Sequence, residues 1–291
     1  MIPQLNEQLS QYSLLVVSAA MAFIALSLII LSFSLAKLSA SSDSELASLR
    51  KTENAGLAVM WLGTIVLGAG VVMRGIAANR VPWANMYEFS ISGAFLILLV
   101  YLTALKLRDL RYIATFIAGF VLVTLFAAVS LFYVEVKTLM PALQSYWLVI
   151  HVVVAILATA FFSVACGLHV AYLIKDAGLA KPIMARFPDL KPLERLAYRF
   201  NIVGFVLWSF TLIAGAIWAE RAWHRYWGWD TKEVWTFIIW VLYAGYLHAM
   251  ATRGWNGKRA AWLGVIAFSA IIFNFVIVNQ FFKGLHVYSG L

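Results

Sequence analysis

The five histidines of this 291-residue chain are the first candidates for binding a metal or transferring a proton. His151 and His286 lie near the ends of long apolar runs, and His224 lies in the polar loop between two such runs. His169 and His248 lie deeper, each a few residues before a basic residue. An ionisable side chain is costly in a bilayer, so each position calls for a function or a polar partner.

Tryptophan is concentrated in one short segment, where five of the twelve tryptophans fall within eighteen residues. A membrane-interface anchor needs only one or two such residues per helix end. The density here favours a surface that stacks against a large, flat, apolar ligand and offers cations to its carboxylates. The candidate surface comprises Trp218, Trp223, Tyr226, Trp227, Trp229, Asp230 and Trp235, and the candidate carboxylate contacts are Arg221, Arg225 and Lys232.

Haem matches this combination, since its macrocycle is planar and apolar, its propionates are anionic and its iron takes axial imidazoles. His151 and His286 would approach such an iron from opposite faces. A lone histidine at a helix end is more often an interfacial side chain, but two of them flanking a tryptophan-rich loop favour ligands. Asp230 has two open roles: it orients Lys232 or an arginine, or it caps a helix that begins near Thr231.

The elements that position these residues are apolar helices. Hydrophobic residues make up 63% of the chain and charged residues 12%, far from the balance of soluble domains. Roughly 20 apolar residues span a bilayer. Runs of that kind lie near 13–36, 56–76, 90–107, 112–133, 146–174, 202–219, 234–252 and 260–282. We therefore predict an all-α integral membrane protein of about eight transmembrane helices.

The basic residues predict the orientation of these helices. Fifteen lysines and arginines follow spans 1, 3, 5 and 7, whereas seven lie on the other side. Because positive residues are retained in the cytoplasm, we expect both termini and the tryptophan-rich loop to face outwards. The net charge of +9 is then a consequence of membrane orientation. The expected partner surface is the lipid bilayer, and no nucleic acid is expected.

We expect the chain to consist of a short N-terminal part and a longer membrane domain. We expect residues 1–55 to form the first transmembrane helix and a polar inner connector, and residues 56–291 to form a haem-handling membrane domain with an external loop at about 218–235. An amphipathic segment at 192–200 is expected to lie on the inner membrane surface before span 6. The single cysteine, Cys166, lies in an apolar run and is interpreted as a small buried hydrophobe.

Several motifs resemble the CcsA (ResC) family of the System II cytochrome c synthase. The main one is the tryptophan-rich WWD segment, WHRYWGWDTKEVW at 223–235, which GAIWA precedes at 215–219. YLH at 246–248 and GLHVY at 284–288 follow it, and PWANMYEF at 82–89 resembles the outer-loop motif of the family, with Asn85, Tyr87 and Glu88. The resemblance covers roughly 55–290, with all motifs in order.

The resemblance implies a function in cytochrome c biogenesis. It implies that His151 and His286 are the external axial ligands of haem, and that His248 is a transmembrane ligand sharing haem with a histidine of a CcsB (ResB) partner. Haem b would be both bound ligand and substrate. Its vinyl groups would form thioethers with the CxxCH motif of an apocytochrome c, so the chain would act as a subunit of a haem lyase. Thiol-reducing proteins would be indirect partners in this attachment reaction.

The sequence departs from the family pattern at three positions. Thr231 stands where proline is usual after the motif aspartate, His224 where glycine is usual, and Val287 where serine is usual. None of these changes removes a ligand. His224 is interpreted as an interface residue or propionate contact. The resemblance fits either a bacterial plasma membrane or a thylakoid membrane, with the WWD loop on the periplasmic or lumenal side.

Alternatives remain open from the sequence. His169 follows His151 by 18 positions, which is about 27 Å along one helix face, so an inner bis-histidine site with His248 is a second possibility. A cytochrome b-like electron carrier would pair histidines at both depths without a large aromatic loop. A solute transporter would show inverted repeats with broken spans. A haem-presenting protein without ligase activity would carry the same motifs.

Overall fold

A computed structural model describes residues 2–38, 46–137, 143–252, 255–282 and 284. Eight long helices account for most of these residues, and no described residue lies in a β-strand. The helices are α1 (Ile2–Leu38), α2 (Leu46–Ala78), α3 (Met86–Leu107), α4 (Ala114–Leu131), α5 (Tyr146–Asp176), α6 (Leu190–Trp223), α7 (Thr231–Ala251) and α8 (Lys258–Phe273). Each belongs to a segment long and apolar enough to cross a membrane, so the predicted all-α multi-pass architecture is confirmed.

The helices extend beyond the apolar runs from which they were predicted. α2 begins at Leu46, so the second half of the predicted polar connector is helical. α6 begins at Leu190 and runs for 34 residues, about 51 Å, without a break. The amphipathic segment at 192–200 is therefore the first part of α6 and not a separate surface helix. Its apolar face packs against the bundle, where Leu193 and Ala197 are fully buried.

Helices α1 and α2 pack closely as an antiparallel pair. Two serines of α1 stabilise the pairing, because the hydroxyls of Ser13 and Ser27 donate to the carbonyls of Gly70 and Gly56, each at 2.8 Å. Small and hydroxyl-bearing residues let transmembrane helices approach and hydrogen-bond across an apolar interface. The buried face of α1 belongs to the same core as α3 and α4.

A buried charge network fixes the start of α3. The Arg74 Nε donates to Glu88 Oε1 at 3.1 Å, and both side chains are fully buried. Arg80 forms a second, bidentate ion pair with the same carboxylate. Arg74 also donates to the Ser10 hydroxyl at 2.9 Å and to the Val134 carbonyl at 2.7 Å. The network ties α1, α2, α3 and the segment after α4 together at one end of the bundle.

The last helix changes its pitch near its end. α8 continues into a π-helical turn, Asn274–Val278, and then a short α-helical turn, Asn279–Phe281. A π-helical turn shifts the register of the backbone hydrogen bonds and frequently lies at a functional site. Here Asn274, in the turn, and Asn279, directly after it, line a cavity between the helices.

Candidate functional site

A cavity of about 420 Å³ lies between α3, α4, α5, α6, α7 and the end of α8. Its volume is within the range of about 300–1,000 Å³ typical of small-molecule and cofactor sites. On α5, the lining residues His151, Ala155 and Thr159 recur every four positions, so one helix face forms that wall. Most of the lining is apolar. Val123 and Leu131 of α4 line the cavity and are also more than half exposed, which shows that it opens beside α4.

The cavity wall holds the imidazole of His151 in a defined orientation. Its Nδ1 lies 2.9 Å from the carbonyl oxygen of Thr211 on α6. Because a carbonyl only accepts, Nδ1 is the donor, and the lone pair of the neutral ring is on Nε2. Trp218 lies nearly parallel to the ring, with centroids 6.2 Å apart and planes at 23°.

A glycine on α6 makes this placement of His151 possible. A Cβ atom at Gly215 would lie 2.7 Å from Cε1 and 2.8 Å from Nδ1 of His151, closer than real Cβ contacts. The imidazole therefore occupies the space that any other residue at position 215 would fill. This histidine, backed by a backbone carbonyl, has the usual surroundings of a metal-ligating imidazole.

The five tryptophans of the predicted surface have three kinds of surroundings. Trp218 is buried and packs against Trp223 with centroids 4.8 Å apart, while Trp235 packs against Phe273 at 4.3 Å. Trp218 and Trp227 line the cavity together with Tyr226, but Trp223 and Trp235 do not. Trp229 is 75% exposed and meets the edge of Trp227 at 5.9 Å. The segment is thus partly a cavity wall and partly an exposed aromatic surface.

A capping box shapes the WWD segment. Asp230 is the N-cap of α7, where its carboxylate accepts from the Lys232 N–H at 2.8 Å. Glu233, which is buried, accepts from the Gly228 and Asp230 N–H groups at 2.8 and 3.0 Å. Of the two roles open for Asp230, helix capping is confirmed. Glu233 was not among the predicted site residues, although an N-cap aspartate followed three residues later by glutamate is a recognisable pattern.

The three candidate cations occupy different positions. Lys232 lines the cavity, and its ammonium donates to the Asn274 carbonyl at 2.9 Å and to Asn279 Oδ1 at 2.7 Å. Arg221 lies over the ring of Tyr146, 5.2 Å from its centroid. The Arg225 guanidinium lies directly against Gly228. Neither arginine lines the cavity, so Lys232 is the cation that faces it.

The outer-loop motif contributes support as well as cavity wall. The Asn85 side chain caps α3 by accepting from the Glu88 N–H at 2.9 Å, and Asn85 also lines the cavity. Tyr87 is buried edge-on against Tyr133, with centroids 5.1 Å apart. Glu88 is the centre of the buried charge network. Tyr87 and Glu88 therefore position the loop and do not themselves line the cavity.

The structure does not bring His169 and His248 together. His169 is buried, its Nε2 lies 3.0 Å from Asn201 Nδ2, and its ring meets Tyr246 with centroids 5.3 Å apart. His248 lies two residues after Tyr246 on α7 and therefore points away from His169, on the exposed surface of the bundle.

The other two histidines are His224, within the WWD segment, and His286, in the closing motif. His224 is exposed and ends α6 in the left-handed conformation, with φ 56°. His286 lies outside the described residues. Gly284, two positions earlier, lies against the carboxylate of Asp230, because a Cβ atom there would be 2.2 Å from Asp230 Oδ2. The described start of the closing motif is therefore beside the WWD segment.

Comparison with known proteins places this architecture in a family. A family model described as cytochrome c assembly protein matches residues 83–286. Cytochrome c biogenesis protein CcsA of Synechococcus sp. (strain JA-3-3Ab) is 33% identical, and the match covers 80% of this chain and 85% of that protein. A protein of the same name from Guillardia theta is 32% identical, with 78% and 82% covered.

A solved structure shares the fold. The cytochrome c heme lyase CcmF superposes with a TM-score of 0.66 at 17% identity, over 92% of this chain and 46% of the CcmF chain. The shared fold includes nearly the whole helical bundle described above. The family match over residues 83–286 and the relatives of about one-third identity show that the chain belongs to the cytochrome c assembly protein family.

Proposed function

We propose that this chain binds haem in the cavity between α3 and α8 and, with a CcsB-type membrane subunit, attaches it covalently to apocytochrome c. The observation that carries the proposal is the His151 imidazole on the wall of an apolar cavity, with Nδ1 donating to the Thr211 carbonyl. That hydrogen bond fixes the tautomer in which Nε2 binds a metal and raises its basicity as a ligand. The family names of the relatives support the same process.

The residues present fit the proposed ligand. The cavity offers an apolar interior for the macrocycle, and aromatic side chains of the WWD segment line part of it. His151 would supply one axial ligand. His286 would supply the other, and Gly284, two residues before it, lies beside Asp230 of the WWD segment. Lys232 would face a propionate.

Attachment adds the S–H bond of each substrate cysteine across a vinyl group of haem, so that the sulfur and the hydrogen become bonded to adjacent carbons. No electrons are exchanged in that addition. The chain contributes no thiol, since Cys166 is buried within α5. Its residues would instead hold the ring in one orientation and fill the axial positions, which keeps dioxygen away from the iron. Holding two reactants in register supplies much of the rate.

The exposed position of His248 supports a shared site with a second subunit. An imidazole on the outer surface of α7 faces either lipid or another chain. A histidine from a CcsB-type partner would complete a transmembrane haem site there. With the positive residues inside, His248 would lie towards the cytoplasmic side, and the cavity with its WWD segment would lie towards the periplasm or lumen.

Co-expression with a reporter apocytochrome tests the proposal. Covalent haem on the reporter is expected when this chain and its CcsB-type partner are both present, and not when either is absent. Haem in the purified chain without covalent attachment in the pair would favour the alternative of a haem-presenting protein. Stable haem that cycles between redox states without transfer to the reporter would instead identify an electron carrier.

Gly215→Ala tests the placement of His151. The new methyl group would push the imidazole away from the Thr211 carbonyl, so we expect haem affinity to fall about 10–100-fold, the usual cost of losing an outer-shell partner. Absorbance titration of the purified chain measures the change. Gly245→Ala is the matched control, because a Cβ atom there meets nothing within 4 Å. Equal affinities of the two variants would contradict the proposed role.

A further inference from the structure

Four residues that line the cavity carry buried polar atoms with no hydrogen-bond partner among the described residues. The atoms are Trp83 Nε1, Ser90 Oγ, Glu233 Oε1 and Asn274 Oδ1. All four side chains are more than nine-tenths buried, with exposures of 8%, 2%, 7% and 5% respectively. Buried polar groups in folded proteins are nearly always paired, and an unpaired one costs free energy. Several of them on one cavity indicate a polar group of the bound ligand.

Ring contacts and hydrogen bonds place Ser90, Asn274 and the Lys232 ammonium at one level of the cavity. Phe89 of α3 stacks on Phe275 of the π-helical turn, with centroids 5.0 Å apart. Their sequence neighbours Ser90 and Asn274 line the cavity from α3 and from the π-helical turn respectively. The Lys232 ammonium is at the same level, because it donates to the Asn274 carbonyl at 2.9 Å.

The donors among these groups match a carboxylate. The indole N–H of Trp83 only donates, and the Ser90 hydroxyl donates readily. A lysine ammonium has three N–H donors, and Lys232 uses two of them on Asn274 and Asn279 within the described part of the chain. A charge-assisted hydrogen bond from each would hold an anionic oxygen at this end of an otherwise apolar cavity.

We propose that Trp83 and Ser90, together with Lys232, form a carboxyl subsite that selects the propionate end of the bound porphyrin. The inference rests on the proposed function. It assigns two further residues to ligand recognition, Trp83 from the PWANMYEF segment and Ser90 from α3. The unpaired atoms of Glu233 and Asn274 are acceptors, which a carboxylate does not satisfy, so these two residues are not part of the subsite. The subsite fixes which edge of the ring enters the cavity first.

Haem and haem dimethyl ester, titrated into the purified full chain, test this proposal. The ester keeps the ring, the vinyl groups and the iron but removes both carboxylates. We expect the unaltered chain to bind haem about tenfold or more tightly than the ester, as for the loss of a hydrogen bond to a charged group. Trp83→Phe and Ser90→Ala should each weaken haem binding by about tenfold and ester binding by less, because the uncharged ester carbonyl accepts weaker hydrogen bonds.

Two exposed residues outside the cavity provide matched controls. Trp262→Phe and Ser269→Ala make the same chemical changes on the exposed surface of α8, and both should preserve the preference for haem. Equal binding of haem and ester by the unaltered chain would overturn the subsite, as would equal losses for both ligands in Trp83→Phe and Ser90→Ala. A chain that binds neither porphyrin would instead overturn the proposed function.

Discussion

Replacing His151 with alanine is expected to abolish six-coordinate haem in the purified chain and to lower covalent attachment by more than about a hundredfold. Loss of an outer-shell partner already costs roughly 10–100-fold, and this change removes the ligand itself. The apolar cavity remains, so residual haem should bind in a five-coordinate form. Optical spectra of the purified chain and covalent haem on a co-expressed reporter measure the two effects.

His224→Ala is the control for that change. His224 is an exposed histidine at the end of α6, within the WWD segment but absent from the cavity lining. Its replacement should leave the spectrum six-coordinate. A His151→Ala chain that keeps the spectrum of the unaltered protein would show that another residue binds the iron, and the assignment of the cavity would fail.

Replacing Glu88 with alanine is expected to lower the free energy of unfolding by about 3–5 kcal/mol. The change leaves the buried Arg74 guanidinium without its anionic partner, and an uncompensated buried charge has a cost of this size. Residues close to Glu88 in the sequence line the cavity, namely Trp83, Asn85, Met86 and Phe89. The variant should therefore also lose bound haem at a lower temperature than the unaltered chain. Thermal unfolding of the detergent-solubilised chain measures the loss.

Glu53→Ala provides the comparison. Glu53 pairs with Arg111 at 3.6 Å, and both side chains are about a quarter to a third exposed, so its loss should cost less than about 1 kcal/mol. A charge-free double variant, Arg74→Met with Glu88→Leu, should recover much of the stability lost in Glu88→Ala. If Glu88→Ala were no less stable than Glu53→Ala, the buried network would not be what holds the start of α3.

Most of the architecture was predictable because it follows from local sequence. A bilayer requires long apolar runs, and eight of them mark the eight helices regardless of tertiary contacts. The ends of the helices were less predictable. The segment 192–200 is amphipathic, a pattern that fits a membrane surface as well as a protein surface. Only the packing of Leu193 and Ala197 against the bundle distinguishes the two.

The candidate site was predictable where chemistry is tied to residue type. Histidine, tryptophan and lysine are unusual in apolar segments, and His151, Trp218, Trp227 and Lys232 do line one cavity. Residue type could not separate these from Trp223 and Trp235, whose rings pack elsewhere. Membrane anchoring and ligand binding both enrich a segment in tryptophan, so the sequence alone does not separate them. Only the direction of each side chain in the structure does.

The supporting residues were not predictable because they act through tertiary contacts. Gly215 and Thr211 are ordinary residues of an apolar helix until α5 places His151 against them. Lys232 contacts Asn274, 42 positions away, through a π-helical turn for which the sequence has no clear pattern. Such contacts depend on which helices become neighbours, which hydropathy does not specify.

The most direct test is the low-temperature electron paramagnetic resonance spectrum of the purified, ferric haem-loaded chain, recorded before and after His286→Ala. With His151 and His286 as the two axial ligands, the unaltered chain should give the low-spin spectrum of an iron bound by two imidazoles. The His286→Ala chain should give a high-spin spectrum. An unchanged low-spin spectrum after removal of His286 would contradict the proposed pair of ligands.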